Sequence, residues 1–450
     1  MDPAEVVAHA LEQGPTTLVL ADRSSGVNCR WANNSLTTNG QEASLSASVV
    51  AIDEGRVGMQ SADVVGPDDV ARAARAAGER ARQSPPAADA FELVPAGEAA
   101  PPAGPVAAPA CADDLGPLVE PLRQTFEAAA RDGWRCFGFA QATVEETHLG
   151  SVTGLRAAGS RRVATLSMTV KSPDYQRSVW VGRLGTSFAG LDAGRLYQQA
   201  QERLRWGERR LELPAGRYQV ILEPSAVADL LARLYWDMHA RGADEGKTVF
   251  ASPAGPRVGE RLYAPGVTVT ADPAAPGMEV PAFVRAPAST DFSSVFDNGL
   301  PVPPATWIQA GVQGDLVCPR AWARDHDHPV RPEVDNLRMA GTATELQAMI
   351  QSTERALLIS SLWYIRDLDP TTLLLTGLTR DGVYLVEHGQ VQGAVNNFRF
   401  NDSPVRVLAH TVEIGRAEMA LSREIGGHFL IEAPPIRVED FHLSSVSDAV

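Results

Sequence analysis

Between Arg355 and Gly415 the chain contains RALLISSLWYIR, TRDGVYLVEHGQVQGAVNNFRF and SPVRVLAHTVEIG. These runs are rich in strand-forming residues, so this part of the chain must fold as sheet. His388 and Gly389 stand between two of them, where a tight hairpin turn is expected and neighbouring strands must run antiparallel. GVTVT, Gly266 to Thr270, belongs to the same strand-rich region. Helices are few here; the clearest is TATELQAMIQSTERA, which Thr342 or Thr344 can cap.

The first half of the chain reads differently. Asp2 to Leu11 is a short helix, followed by a meander of β-prone runs at Thr17 to Leu20, Val27 to Trp31, Ser44 to Ile52 and Arg56 to Met59. PDDVARAARAAGERARQ then opens with Pro67 in a first helical turn. Asp68 and Asp69 suit the positive end of that helix, which should finish near Ser84. Residues 85–111 are rich in Pro, Ala and Gly and form either an extended crossing or a mobile loop. Order resumes with a helix through LVEPLRQTFEAAARDG and strands through GFAQATVE and RRVATLSMTVKS. The helix AGRLYQQAQERLRWGERR carries Leu196, Tyr197, Leu204 and Trp206 on a charged background, as a helix covering a sheet does.

Tyr218 to Leu222 is a further β-prone run; it ends at Pro224, and Ser225 can cap the helix that follows. The domain boundary is placed here. The expected fold is α+β: an N-terminal domain, 1–214, of helices on antiparallel sheet, and a C-terminal domain, 215–450, dominated by curved antiparallel sheet.

A chain of 450 residues, 44% of them hydrophobic, has the interior to support two domains. Its formal net charge of -15 is spread along the sequence, which argues against nucleic acid or an anionic membrane as a partner. Lys171 and Lys247 are the only lysines, and with the many Ala, Pro and Gly residues this suggests a GC-rich bacterial genome. The first twenty residues lack both a basic start and a continuous apolar core, so no secretion signal is expected there. No apolar run is long enough for a membrane span. Cys29, Cys111, Cys136 and Cys318 are far apart and form no CxxC pair, which fits thiols in a reducing cytoplasm.

The segment LTGLTRDGVYLVEHGQVQGAVNNFRFNDSP resembles a hairpin "G-x-T-x-D-G-x-x-x-x-x-x-G" followed by "N-x-R-F-x-x-S", the pattern of the TldD/PmbA metallopeptidase-related proteins. The similarity extends back through SSLWYIRDLDP and KTVFASPAGPRVGERLYAPGVTV, and more weakly to RWANNSL. In the peptidase subunit of that family an HExxxH helix supplies two imidazoles and a catalytic glutamate, and a late cysteine adds a thiolate. Aligned on the neighbouring motifs, the helix LLARLYWDMHAR puts Ala232 and Asp237 at the histidine positions and Arg233 at the glutamate. Zinc needs three protein donors and an open position for water; alanine donates nothing and arginine repels the cation. SREIGGHFLIEAPPIRVEDFHLSSVSDAV, where the late cysteine would fall, contains none.

The resemblance therefore implies the noncatalytic, PmbA (TldE)-type branch. This chain would hold no catalytic residue, metal or cofactor of its own. It would complete a closed proteolytic chamber with a TldD-type partner that carries Zn, and would position unfolded or modified peptide in the cytoplasm. Trp363, Tyr364 and Arg399 are candidates for contact with substrate or partner. A rival reading is a peptidase-like enzyme with a rebuilt site acting on a small modified peptide in biosynthesis, and another is a stand-alone scaffold.

Other motifs carry less. Asp237 and His239 would not share a helix face. RDHDHP, Arg324 to Pro329, reads as a solvated loop before a metal tract. GADEGKT has the wrong spacing and context for a phosphate loop and reads as a helix exit in which Gly242 takes the left-handed conformation. No GxSxG elbow is present.

Overall fold

The computed structural model describes residues 1–98, 115–427 and 429–447. Cys111 and most of the second half of the 85–111 segment lie outside them.

Helix α1 (Pro3–Glu12) is capped by Asp2 in a reciprocal capping box with Glu5. The expected meander condenses into three longer strands, β1 (Leu18–Ala32), β2 (Ser35–Asp53) and β3 (Arg56–Asp63). β1 turns into β2 through Asn33 and Asn34, both left-handed, at φ 51° and 62°. That turn lets one hairpin absorb what the sequence divides at polar residues. α2 (Pro67–Gln83) ends at Ser84 as its composition predicts. α3 (Gly116–Arg131), β4 (Arg135–Ser151), β5 (Arg156–Lys171), β6 (Ser178–Gly185) and α4 (Ala193–Trp206) complete the first half.

The six strands form one antiparallel sheet in the order β3-β2-β1-β4-β5-β6. Alternation along β1 sorts its two faces. Val19 and Ala21 pack under α1 and α2, and Val27 and Cys29 share a core with α3 and α4. Leu18 and Leu20 face the other way, onto Phe283, Val295 and Phe296 of the second half. The sheet is thus a middle layer, with helices above and the C-terminal body below. Gly58 is required where α2 crosses β3, since a Cβ there would lie 2.1 Å from the Ala77 carbonyl oxygen.

The second half begins with β7 (Arg210–Leu211), β8 (Gly216–Leu222), α5 (Pro224–Trp236) and α6 (Ala240–Asp244). Short strands β9 (Ala251–Ser252) and β10 (Gly255–Pro256) form a small hairpin. Next come β11 (Val269–Ala271), β12 (Ala305–Gln309), β13 (Val312–Gln313), α7 (Arg320–His326), β14 (Asn336–Met339) and α8 (Leu346–Gln351). β15 (Arg355–Ile359), β16 (Leu362–Asp369), β17 (Leu374–Thr379), β18 (Val383–Glu387), β19 (Gln390–Val395) and β20 (Asn397–Asp402) follow. The chain closes with α9 (Pro404–Ala409), β21 (Thr411–Ile414), β22 (Glu418–Met419), β23 (Leu430–Ala433) and β24 (Ile436–Ser447).

A ten-stranded sheet runs β16-β17-β20-β24-β8-β15-β18-β19-β7, with β21 added on β24. A smaller sheet runs β13-β12-β11-β14-β23-β22. Most pairs are antiparallel, with β8–β15, β7–β19 and β14–β23 the parallel ones. The fold is therefore α+β, with the sheet-dominated second half expected. His388 and Gly389 do form the β18–β19 turn, at φ 50° and 75°.

Between the two C-terminal sheets lies α5, buried along ten of its thirteen residues, as suits a helix that is apolar all round. Its neighbours include Leu222, Leu357, Ile359, Ile431 and Ala433.

Several local expectations are corrected. The residue capping α5 is Glu223, without a side-chain cap, and the Ser225 hydroxyl instead donates to the Leu421 carbonyl at 2.7 Å. α8 is shorter than its pattern, starts after Glu345, and is capped by neither Thr342 nor Thr344. Thr342 is drawn away to the Ile414 carbonyl. Gly242 is inside α6, and Gly246 takes the positive φ of 73°. The described start of the Pro/Ala-rich segment is a crossing: Pro86 bridges to Arg56, and Asp89 accepts from the Ser294 hydroxyl at 2.6 Å. No helix among the described residues is long and apolar enough to cross a membrane.

Candidate functional site

The helix LLARLYWDMHAR does not run through. α5 stops at Trp236 with Asp237 as its C-cap, and His239 caps α6 by accepting from the Gly242 amide at 3.1 Å. The break has a tertiary cause. Met238 and Ala240 pair their backbones with Val317, at 2.9 Å each, and this strand-like bridge is incompatible with another helical turn.

Ala232 is buried in the C-terminal core. Arg233 reaches outward, donates to the Ile365 carbonyl at 2.8 Å, and lies over the Trp236 ring at 5.3 Å. Its guanidinium is 3.8 Å from Asp367. Asp237 has one carboxylate oxygen buried without a hydrogen-bond partner among the described residues. Burial, reinforced by the nearby Asp367 charge, pushes its carboxyl up to about 6. Burial also lowers the basicity of His239.

The loop Ser422 to Gly426, which precedes β23 in the region where the resemblance expects a thiolate, is built of charge pairs. Ser422 Oγ and the Glu424 amide both donate to Asp229 on α5. Glu424 accepts from the amides of Tyr364 and Ile365, at 2.8 Å and 3.2 Å, and from Arg366 at 2.9 Å. Arg423 pairs with Asp381, donates to Ser361 Oγ at 3.0 Å, and lies between the rings of Trp180 and Trp363. Burial is the largest single influence on Asp381 and opposes its ionisation, but the Arg423 charge, the hydrogen bonds from Arg423 and Ser178 and the Arg380 charge together hold the carboxyl below its ordinary value. β16 is the edge of the large sheet, and Glu424 and Arg233 occupy backbone groups that an open edge would otherwise present.

Asp229 is fully enclosed, and its second carboxylate oxygen has no partner among the described residues. Desolvation pushes it up to about 7. Nothing in the sequence singles it out, since no signal local to the helix marks this aspartate as enclosed.

These residues do not fit a zinc ion. Ala232 offers no donor, Arg233 brings a positive charge, and Asp237 stands alone. Among the described residues no group of three or more His, Cys, Asp and Glu side chains is arranged to hold a metal. In RDHDHP, Asp325 pairs with Arg324, His326 stacks on Trp322 at 3.8 Å, Asp327 is a left-handed C-cap, and His328 meets Asp244 at 2.8 Å. Its residues thus serve the end of α7 and its packing. Cys29, Cys136 and Cys318 are buried free thiols, and desolvation pushes each up, Cys136 and Cys318 to about 12.

Trp363 and Arg399 fall on one line across the sheet, each registered against Leu378 of the strand between them. Both are half-buried, and Arg399 donates to Thr376 at 3.2 Å. Tyr364 sits at a bulge with φ 55°, 53% exposed, under the Arg366 guanidinium. The register of three strands, invisible in the linear sequence, brings the first two onto one face.

Comparison with known proteins bears on this arrangement. The pattern of the PmbA/TldA metallopeptidase C-terminal domain matches residues 215–445. TldE from Thermococcus kodakarensis has a similar structure, with TM-score 0.81, 16% identity, and coverage of 98% of this chain and 99% of that one. A candidate modulator of a DNA gyrase from Thermotoga maritima gives TM-score 0.74 at 16% identity, covering 98% of each chain. A further candidate gyrase modulator, from Bacteroides thetaiotaomicron, gives 0.74 at 14% identity over 99% of this chain and 98% of that one. Comparison with curated protein sequences gives no match. At such identities the structural likeness establishes the fold, while the sequence match spans just over half of the chain. By that match and the site it contains, the chain belongs to the PmbA/TldD family of metallopeptidase-related proteins.

Proposed function

We propose that this chain is the noncatalytic subunit of a heterodimeric TldD/TldE-type metallopeptidase. A partner retaining the HExxxH helix and the late cysteine would hold zinc and perform hydrolysis. This chain would close the proteolytic chamber, exclude folded proteins and position peptide.

The observation that carries the reading is the fate of the family's metal helix. Where two imidazoles and a glutamate would converge, Ala232 is core, Arg233 caps the edge strand β16, and Asp237 ends the helix. The loop opposite is committed to the Asp229, Glu424 and Arg423 pairs. The positions have acquired structural duties incompatible with a cation.

The test is coexpression with a TldD-type chain, size exclusion, and a peptidase assay of each chain alone and of the mixture. Activity is expected only in the mixture, and is expected to vanish when the partner's glutamate is replaced. Full activity and stoichiometric zinc in this chain purified alone would overturn the reading.

A further inference from the structure

We propose that the cleft where the N-terminal layer meets the large sheet binds the terminal carboxylate of an extended peptide. The cleft has a volume of about 290 Å³, room for roughly one or two residues and too little for a folded partner. One wall is the turn into β6 and the end of α4; the other is the start of β18 and the end of β19.

The walls are fixed by contacts that cross the junction. Arg203 of α4 and Glu223 ahead of α5 form an ion pair whose side chains are 5% and 7% exposed. Trp206 meets Tyr384 edge-on at 5.1 Å, and the Trp180 amide donates to the Asp381 carbonyl at 3.2 Å. The ligand would therefore enter a preformed site.

The charge balance selects the ligand. Arg177, Arg203, Arg210 and Asp381 line the cleft. Glu223 neutralises Arg203, and Arg423 neutralises Asp381. Arg177 donates to the Leu204 carbonyl at 3.0 Å and stands 3.7 Å from Glu208. Arg210 is exposed, and its side chain has no partner among the described residues. Its backbone is nevertheless held, since β7 pairs with β19 and the Ala394 amide donates to the Arg209 carbonyl at 2.9 Å. Asn396 adds a second donor, its amide nitrogen making only a 3.5 Å contact with the Asn397 carbonyl.

Among the described residues, internal pairing leaves the Arg210 cation unmatched beside apolar Val179, Leu204 and Val395. A carboxylate attached to a small apolar body satisfies both features, because a guanidinium pairs with a carboxylate in planar, charge-assisted geometry. The choice of a peptide to carry that carboxylate rests on the role proposed above.

The probe is a fluorescein-labelled extended peptide ending in valine, as the free acid and as the C-terminal amide, titrated with the full chain. A third arm carries an amidated end and an aspartate next to it. The free acid is expected to bind roughly tenfold more tightly than the amide, the size of one charge-assisted hydrogen bond. Arg210→Ala should remove that difference, whereas Arg209→Ala should leave it intact, with both variants checked for native circular dichroism. The aspartate arm is expected to bind as weakly as the amide; if it matches the free acid, the site does not select a chain terminus and the proposal falls. Equal binding of acid and amide, no binding of either, or an Arg210→Ala variant that still discriminates would each overturn the proposal. The subunit role is judged separately, by the activity of the mixed chains.

Discussion

Removing Arg203 should destabilise this protein more than any change to its surface charges. Arg203 and Glu223 come from opposite sides of the junction between the two halves, and both are buried. With the guanidinium gone, the Glu223 side chain keeps, among the described residues, only the Ser360 hydroxyl, which donates to it at 2.9 Å. A buried carboxylate stripped of its counter-ion costs about 3–5 kcal/mol, so Arg203→Ala is expected to lose about that much. The double change Arg203→Met with Glu223→Gln removes both charges. The amide oxygen can still accept from Ser360, and the methionine fills much of the arginine's volume. Its expected loss is within about 2 kcal/mol of wild type, because burying neither ion also removes the desolvation penalty. Urea unfolding followed by circular dichroism gives the three midpoints, compared for the transition that reports the junction. If Arg203→Ala costs less than about 1 kcal/mol, or the double variant is at least as damaged as Arg203→Ala, the burial argument is refuted.

Two further outcomes follow from the same reasoning. Asp229 has an ordinary carboxyl value of 3.8 when unfolded and about 7 when folded, so the fold prefers its protonated form. Its favourable contribution is present below about pH 4 and is lost as pH rises towards about 7. Asp229→Asn should therefore flatten the decline in urea midpoint between those pH values relative to wild type; identical profiles would refute the assignment. At the β18–β19 turn, Gly389 has φ 75° and a Cβ there would lie 2.5 Å from the Gln351 carbonyl oxygen. Gly389→Ala should cost about 1–3 kcal/mol, measured by thermal unfolding. Gly14→Ala, where nothing lies within 4 Å, serves as the control.

Parts of this fold are legible because their causes are local. α2 carries its own proline, acidic first turn and apolar spacing, so its limits can be read from its residues alone. The His388–Gly389 turn is legible for the same reason. Caps are less secure: Ser225 and Thr342 have the chemistry for the task, yet a distant carbonyl captures each hydroxyl. That Ala232 and Arg233 offer no metal donor is visible in the sequence because an absent functional group needs no geometry to establish.

What surrounds these positions depends on contacts between remote segments. Val317 ends α5, Glu424 fastens the edge of β16, and Arg177, Arg203 and Arg210 converge on one cleft opposite Asp381. The sequence alone determined which chemical groups the chain possesses and which short stretches favour helix or strand, since these follow from covalent structure and near-neighbour sterics. Only the tertiary structure decided which charges are neutralised and which is left to meet a ligand, because Coulombic pairing and desolvation depend on distance through space, and residues hundreds of positions apart become neighbours when the sheets close.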